Sequence, residues 1–309
     1  MNNILNYYYS LHPEEISRKK EKYFFEYLDY KYVLEPFNRP LLDAYALYEI
    51  NKQMLKRNIL VHEIIVNNEN KILTYINNIP YMLMQININP DVRINLSDVC
   101  YINNNSVNME CSEVLNRYDW VSLWEIKNDY FETQINEIGK KYQNLCNCAN
   151  YYIGLAENAI SFVRETMKID DVALISICNK RINCKDNLFC LYNPLNYICD
   201  FRVRDISEYI KSAFFNGEDA YNLVEEYFLN NYLSYKETLL FYGRLLYPSY
   251  FFDLYDDIVN KDLNEKLIDD IIIKSEEYEK FLMDVYVFIS KLHNKYIMPV
   301  DWLTKRSFV

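Results

Sequence analysis

Asp200 is the acidic residue whose position in the sequence best suits metal chemistry. It follows a short apolar strand candidate at residues 197–199, and a carboxylate there could supply an oxygen ligand to Mg²⁺. Arg202 and Arg204 follow closely, so an ion pair is the structural alternative. We favour the ion pair, because perturbed carboxylates also occur in purely structural pairs.

Recognisable catalytic motifs are otherwise missing from the sequence. The histidines lie at positions 12, 62 and 293, and none stands with a serine or cysteine in a nucleophile motif. A P-loop, a G-x-G-x-x-G and an H-E-x-x-H are also missing. Asp205 and Glu208 fit the N-terminal cap of the next predicted helix, which is a structural role.

The eight cysteines are expected to be reduced and free of metal. The N-terminus lacks the basic start, apolar segment and cleavage site of a signal peptide, so we expect a cytoplasmic chain, in which thiols stay reduced. Cys146 and Cys148 form C-x-C rather than C-x-x-C, and no histidine lies nearby in sequence to complete a common zinc set.

The charge balance excludes the usual nucleic-acid-binding proteins. Lys and Arg total 33 against 44 Asp and Glu, a net charge of -11, and the densest basic run, Arg18-Lys19-Lys20, is typical of a solvated turn. The negative net charge also disfavours binding to anionic lipid. Apolar runs also stay below the ~18 to 20 residues that a membrane span needs. The high content of Asn, Ile, Lys and Tyr is typical of a low-GC genome.

A β-rich segment with one helix comes first along the chain. Aromatic and β-branched runs at 22–27 and 30–36 predict a hairpin, and Pro40 followed by helical spacing predicts a helix at 41–57. Three further strand candidates follow at 60–66, 71–76 and 81–86. Residues 87–90 are the predicted hinge, which divides the chain into an N-terminal lobe, 1–88, and a C-terminal lobe, 89–309.

The second half reads as helical, with a short strand cluster near its centre. Ser234 and Glu237 form a capping box ahead of one helix, and Pro248 is expected to end or kink it. The helical stretches are 117–141, 150–167, 204–215 and 263–291, and the strand candidates between them are 172–178, 188–192 and 196–199. The predicted class is therefore α+β.

Three strings in this order of elements resemble the spore-coat-associated kinase-like proteins, the CotS/YutH group. They are NYYIGLAENAI at 150–160, RDISEYIK at 204–211 and RLLYPSYFF at 244–252. The group is a branch of the aminoglycoside and choline phosphotransferase-like proteins. The resemblance implies a two-lobed protein-kinase-like fold, with a small antiparallel-sheet N-lobe and a larger helical C-lobe.

The nucleotide site that this resemblance implies looks degenerate. A kinase covers the phosphates with a glycine-rich loop, yet no glycine precedes Gly139. The strand after the hairpin turn should carry a phosphate-binding lysine, and the matching position holds Glu35, which reverses the charge. Lys31 is a possible substitute. Glu49 matches the lysine's usual partner, and a solvated helix glutamate is the alternative.

The catalytic and metal positions are also altered. The His-x-Asp of the catalytic loop is replaced by Asn179-Lys180-Arg181, which has no carboxylate to accept a proton. Asp186 is the nearest acid, in a stretch typical of a turn. The family spacing places the metal aspartate near Asn193, which lacks the required charge, and Asp200 is the rival candidate.

Two functions therefore remain open. The first is a pseudokinase that acts as a structural or interaction protein, with no cofactor and a protein partner. The spore coat is the location that the resemblance implies. The alternative is a diverged small-molecule phosphotransferase that uses ATP and Mg²⁺, with Asp200 as the metal ligand and Lys31 or another base improvised. We favour the first, because phosphoryl transfer depends on positioned charge and several charges are missing.

Overall fold

The computed structural model describes residues 1–87, 91–138, 141–293 and 295–305. The chain divides into two compact units. Unit 1 contains Met1–Asn116 and Ile175–Asp200, and unit 2 contains Arg117–Leu174 and the chain from Phe201 onward. Residues 88–90 of the predicted hinge lie outside the described residues, so the predicted boundary between the lobes stays a prediction.

A six-stranded antiparallel sheet forms the body of unit 1. The strands are β1 Ile16–Lys19, β2 Lys22–Tyr27, β3 Tyr30–Pro36, β4 Glu63–Ile65, β5 Thr74–Ile76 and β6 Ile79–Ile86. Their order is β1-β2-β3-β6-β4, and β5 pairs with β6. Leu28 and Asp29 have positive φ (49° and 65°), as a two-residue turn that matches strand twist requires. The predicted hairpin is confirmed.

The edge of this sheet corrects one prediction. Arg18 and Lys19 lie on strand β1, paired with β2, and only Lys20 lies in the turn. Charged side chains on a short edge strand protect it from further pairing, so a basic run is compatible with this position.

Helix α1, Asn2–Tyr9, covers one face of the sheet. Leu5 and Tyr9 are buried with Phe25, Tyr32 and Leu34 in one apolar cluster, and the Tyr9 hydroxyl lies 2.8 Å from the Thr74 hydroxyl. The sequence did not predict this helix, because a short helix in water is marginal and its stability comes from packing.

The rest of unit 1 supplies helices of 4 to 16 residues and a two-stranded sheet. The helices are α2 Leu41–Lys56, α3 Leu96–Asn105 and α6 Leu188–Leu191, and strands β7 Ile175–Asn179 and β8 Tyr197–Phe201 pair with each other. Helix α2 begins after Pro40, as predicted. The predicted strand at 188–192 is wrong. The Asn187 side chain accepts a hydrogen bond from the Cys190 amide and caps α6, and a short apolar run fits either structure.

Unit 2 is mainly helical in the part of the chain that is described. Its helices are α4 Trp120–Ile138, α5 Gln143–Met167, α7 Val203–Phe215, α8 Ala220–Asn230, α9 Tyr235–Leu246, α10 Ser249–Lys261, α11 Asp269–Ile273, α12 Ser275–Leu292 and α13 Asp301–Thr304. Ser234 and Glu237 form the predicted capping box of α9, and Pro248 separates α9 from α10. The α+β class is confirmed. Among the described residues, no helix combines the length and apolar character needed to cross a membrane.

Cys111 and Cys199 are joined by a disulfide, so the expectation of reduced thiols is wrong for this pair. The two residues lie 88 positions apart in sequence, yet their Cα atoms are 6.2 Å apart. Only the tertiary fold brings them together, which is why spacing along the chain gave no sign of the bond. No disulfide joins the other six cysteines, all of which lie in the described ranges.

Candidate functional site

Glu35 lies at the centre of a polar cluster in unit 1. The Lys22 ammonium is 2.7 Å from Glu35 Oε1, and the Asn193 side chain donates to Glu35 Oε2 at 3.0 Å. The Asn193 side-chain oxygen in turn accepts from the Leu195 amide. Both carboxylate oxygens of Glu35 therefore bond to the protein, and they tie the sheet to the residues that precede β8.

Lys22 was missed as a partner of Glu35, although the sequence holds the signal. Facing residues of a hairpin are equally distant from its turn, and Tyr27 faces Tyr30 across the Leu28-Asp29 turn. Counting outward from the turn places Lys22 opposite Glu35. The side chain of Glu35 is 13% exposed and that of Lys22 is 34% exposed, so the pair is partly shielded from water.

Phe189 of α6 packs beside this ion pair. Its ring centroid is 5.8 Å from that of Phe24, and the Lys22 ammonium lies 5.1 Å from the Phe189 centroid, in cation–π range. The His62 ring is 5.0 Å from Phe189, and burial lowers the pKa of His62 to about 4. His62 is therefore neutral at pH 7 and adds no cationic group for phosphate. On the same face of the sheet, Val33 is fully buried.

Lys31 and Glu49, the other predicted nucleotide-site residues, are not brought together as an ion pair. Lys31 lies 3.6 Å from Glu26, with both side chains more than half exposed. Glu49 lies 3.4 Å from Lys52, three residues along α2, and is 62% exposed. Each residue has the bonding of an ordinary surface ion pair.

The predicted catalytic-loop residues lie at the end of β7 and directly after it. Asn179 ends the strand and is buried, whereas Lys180 and Arg181 are exposed. Asp186 lies in a turn in which its Oδ2 accepts from the Asn183 amide at 2.8 Å, and burial raises the pKa of Asp186. This is the bonding of a turn aspartate, as predicted from the sequence around it.

Asp200 lies on β8 and is 1% exposed. The start of this strand is held by Arg39, whose Nη1 donates to the backbone oxygens of Leu195 and Tyr197 at 2.9 and 2.8 Å. Arg39 also forms a buried ion pair with Asp43 at 2.9 Å. Sequence reasoning missed Arg39, since its acceptors are main-chain atoms more than 150 residues away. Within the described ranges, no group of three or more His, Cys, Asp or Glu side chains is arranged to hold a metal ion.

The expected capping role of Asp205 and Glu208 is wrong. Helix α7 begins at Val203, its N-cap is Arg202, and no side chain makes the cap hydrogen bond. Because the helix starts earlier than predicted, Asp205 lies within the first turn, where an acid favours the helix dipole. Its carboxylate bonds to Arg204 at 2.7 Å.

Glu208 lies in a buried ionic cluster of unit 2. It accepts from Arg244 at 2.6 Å, from Lys211 at 3.1 Å and from the Ser249 hydroxyl at 2.8 Å. Burial alone would raise the pKa of Glu208, but the nearby positive charges, those of Lys211 and Arg244 foremost, outweigh burial and lower it. The carboxylate therefore stays charged in the folded protein, as a structural role requires.

A pocket of about 1130 Å³ opens in unit 1 near the β2–β3 turn. Lys31 is the one predicted site residue that lines it; Glu35, Asn193 and Asp200 do not. Its wall carries the carboxylates of Glu14, Glu15, Glu26, Asp29 and Asp91, and the amines of Lys19 and Lys31. An excess of carboxylates disfavours a triphosphate ligand by like-charge repulsion.

Comparison with known structures identifies the fold. An aminoglycoside phosphotransferase from Alicyclobacillus acidocaldarius is similar with a TM-score of 0.66 and 8% identity, covering 94% of this chain and 97% of that chain. The spectinomycin phosphotransferase APH(9)-Ia, in complex with ADP and spectinomycin, is similar with a TM-score of 0.58 and 12% identity, covering 94% and 98%. At such identities the likeness shows the fold alone, and the predicted kinase-like fold is confirmed.

Sequence comparison identifies the family. The endospore coat-associated protein YutH of Bacillus subtilis (strain 168) is 29% identical over 176 residues, which is 51% of this chain and 51% of that protein, so the match spans about half of the curated relative. The family model described as "Spore coat putative kinase YutH" matches residues 2–285. The chain therefore belongs to the YutH family of spore coat proteins.

Proposed function

We propose that this protein is a catalytically inactive member of the kinase-like fold that works in the spore coat by binding another protein. The observation that carries the proposal is the bonding of Glu35. A phosphotransferase needs a free cation at this position of the sheet to bind the phosphates of ATP. Here the position holds a carboxylate, and both of its oxygens are engaged by Lys22 and Asn193.

The catalytic loop supports the same proposal. Transfer of a phosphoryl group to a hydroxyl requires a base near the hydroxyl proton, and Asn179, Lys180 and Arg181 offer no carboxylate. Asp186 is engaged in its own turn. A chain that lacks both the phosphate-binding cation and the base retains the frame of the fold without its chemistry.

The proposed location comes from the family and from the relative that is endospore coat-associated. A protein partner fits the surface better than nucleic acid does, because the net charge is -11. Several tyrosines are strongly exposed, among them Tyr7, Tyr45 and Tyr232 at 69%, 72% and 90%. Tyrosine is enriched at protein interfaces, where its ring supplies apolar area and its hydroxyl a hydrogen bond.

The second candidate function is a diverged phosphotransferase that binds Mg·ATP through Asp200. It is favoured by one observation: Asp200 is buried on a strand that Arg39 holds in place, which would give a metal ligand a fixed position. Mg²⁺ often takes only one or two protein carboxylates and completes its shell with water and phosphate. This candidate predicts that Asp200→Asn abolishes turnover.

A thermal-shift titration with ATP, with and without Mg²⁺, separates the two functions. A ligand at about 100 times its Kd stabilises the folded state by about 2.7 kcal/mol, which is several degrees in Tm for a chain of this size. We expect no saturable shift at millimolar ATP. A shift that requires Mg²⁺, that Asp200→Asn removes and that Asp270→Asn, at an exposed position on α11, preserves would favour the phosphotransferase. Saturable ATP turnover by the same protein would refute inactivity.

A further inference from the structure

The disulfide between Cys111 and Cys199 joins two parts of unit 1 that are distant in sequence. Cys199 lies on β8, directly before Asp200, and is fully buried. Cys111 is only partly buried, so it is the less buried of the two bonded cysteines. The cross-link therefore connects a buried strand to a segment at the surface.

That surface segment, residues 107–116, is bonded to α2 mainly through exposed groups. Gln53 of α2 donates to the Glu110 backbone oxygen at 3.1 Å and accepts from the Glu110 amide at 3.2 Å, and Arg57 donates to the Val107 oxygen at 3.0 Å. Water competes for hydrogen bonds at such exposed positions, so each contributes little. Met109 and Leu115 are the buried apolar side chains of the segment, and Leu115 lies in a short 3₁₀ turn.

We propose that the Cys111–Cys199 disulfide is a redox-controlled latch that orders residues 107–116 against β8. A small-molecule disulfide closes the latch: the two protein thiols lose their protons, one S–S bond forms between them, and the small disulfide is reduced to two thiols. A dithiol opens it. Its thiolate attacks the sulfur of Cys111, the less buried cysteine, and expels the Cys199 thiolate, which takes up a proton; the second thiol then releases Cys111 as a thiol.

Strand β8 is held at its start and near its end by different contacts. Arg39 holds the start of β8 through backbone oxygens whatever the redox state, whereas the disulfide holds Cys199 near its end. A one-residue β-bridge between Asn116 and Cys199 lies beside the disulfide and should weaken when it opens. Opening is therefore local: β8 stays anchored at Arg39 while residues 107–116 lose order. This inference is independent of whether the protein transfers phosphate.

Thiol counting is the first test, on the full-length protein incubated with a small-molecule disulfide and then unfolded in alkylating reagent. The latch predicts six alkylated cysteines, which are those outside the disulfide, and eight after reduction. Peptide mapping must place the missing pair at Cys111 and Cys199. Eight alkylated cysteines before reduction, or protection of a different pair, would overturn the proposal.

Hydrogen exchange is the second test, comparing oxidised protein, reduced protein and Cys111→Ser, with Cys146→Ser as a control that removes a free thiol. We expect residues 107–116 to exchange roughly tenfold faster or more in the reduced protein and in Cys111→Ser, since a cross-link limits local opening. Strands β2 and β3 and the control should match the oxidised protein. Equal exchange in all four samples, or faster exchange throughout unit 1, would refute a local latch.

Discussion

Glu35→Gln tests whether the ion pair at the centre of the candidate site holds the fold together. The substitution keeps the shape of the side chain and one hydrogen-bond acceptor but removes the charge. The Lys22 ammonium, which lies 2.7 Å from a carboxylate oxygen of Glu35, then faces a neutral amide. Lys22 and Asn193 must compete for the one oxygen of that amide. The decrease in the free energy of unfolding should therefore exceed the decrease on breaking an ordinary surface ion pair.

The exposure of the two side chains sets the size of the effect. Hydrogen bonds to charged groups contribute about 1.5–3 kcal/mol, whereas exposed ion pairs contribute about 0.2–1 kcal/mol. With Glu35 at 13% and Lys22 at 34% exposure, the pair lies between these cases. We expect Glu35→Gln to lower the free energy of unfolding by about 1–2 kcal/mol, after allowing for solvent screening of the lysine.

Glu26→Gln is the matched control, on the same sheet. Its partner Lys31 is 3.6 Å away, and the two side chains are 69% and 57% exposed, so its loss should stay below about 0.5 kcal/mol. Urea unfolding followed by far-UV circular dichroism measures both variants. Lys22→Met and the double variant complete a cycle whose coupling energy we expect to be about 1 kcal/mol.

Two results would refute this reasoning. If Glu35→Gln is as stable as Glu26→Gln, or if the cycle gives no coupling, the ion pair is not an anchor of the fold. If Glu35→Gln gains a saturable thermal shift with ATP, the carboxylate was blocking a working nucleotide site rather than bonding the chain to itself.

Three further predictions concern unit 2. Folding lowers the pKa of Glu208, so the charged carboxylate stabilises the folded protein above the unfolded-state pKa of 4.5, and this stabilisation is lost as pH falls toward the folded-state pKa. Tm measured from pH 7 to pH 3 should therefore fall less steeply in Glu208→Gln than in the unsubstituted protein. Lys211→Met should cost about 3–5 kcal/mol in urea unfolding, because it breaks a buried ionic cluster, and an effect under about 1 kcal/mol would contradict that description. Gly243→Ala places a Cβ 2.6 Å from Val163 Cγ2 and should cost about 1–3 kcal/mol by differential scanning calorimetry, whereas Gly154→Ala meets no atom within 4 Å and should be neutral or stabilising by up to about 1 kcal/mol.

The parts of the fold that follow from local signals could be predicted from the sequence. The hairpin is specified by two β-branched and aromatic runs around a short turn, and the start of α9 by Ser234 and Glu237, which bond to each other's backbone. Helix α1 and the disulfide depend instead on contacts between residues far apart in the chain. Tyr9 bonds to Thr74, and Cys111 bonds to Cys199, and no pattern within a short window encodes either contact.

The candidate site divides in the same way. The carboxylate at position 35 and the lack of a carboxylate at 179–181 can be read from residue types alone. The partners of Glu35 depend on the three-dimensional structure: the hairpin register brings Lys22 opposite it, and the fold brings Asn193 to it. The error over Asp205 has a comparable cause: α7 starts two residues before the cap residue that side-chain type suggested, and the exact end of a helix is set by packing around it.

The bonding of the polar groups near β8 supports the proposed role as a binding frame over the alternative of a phosphotransferase. In a phosphotransferase the charged groups of the site must be free to meet phosphate and metal in the transition state. Here Glu35 bonds to Lys22 and Asn193, and Arg39 bonds to Asp43 and to backbone oxygens. Charges that bond within the chain stabilise one arrangement of it, and a fixed arrangement lowers the entropy lost when a partner binds.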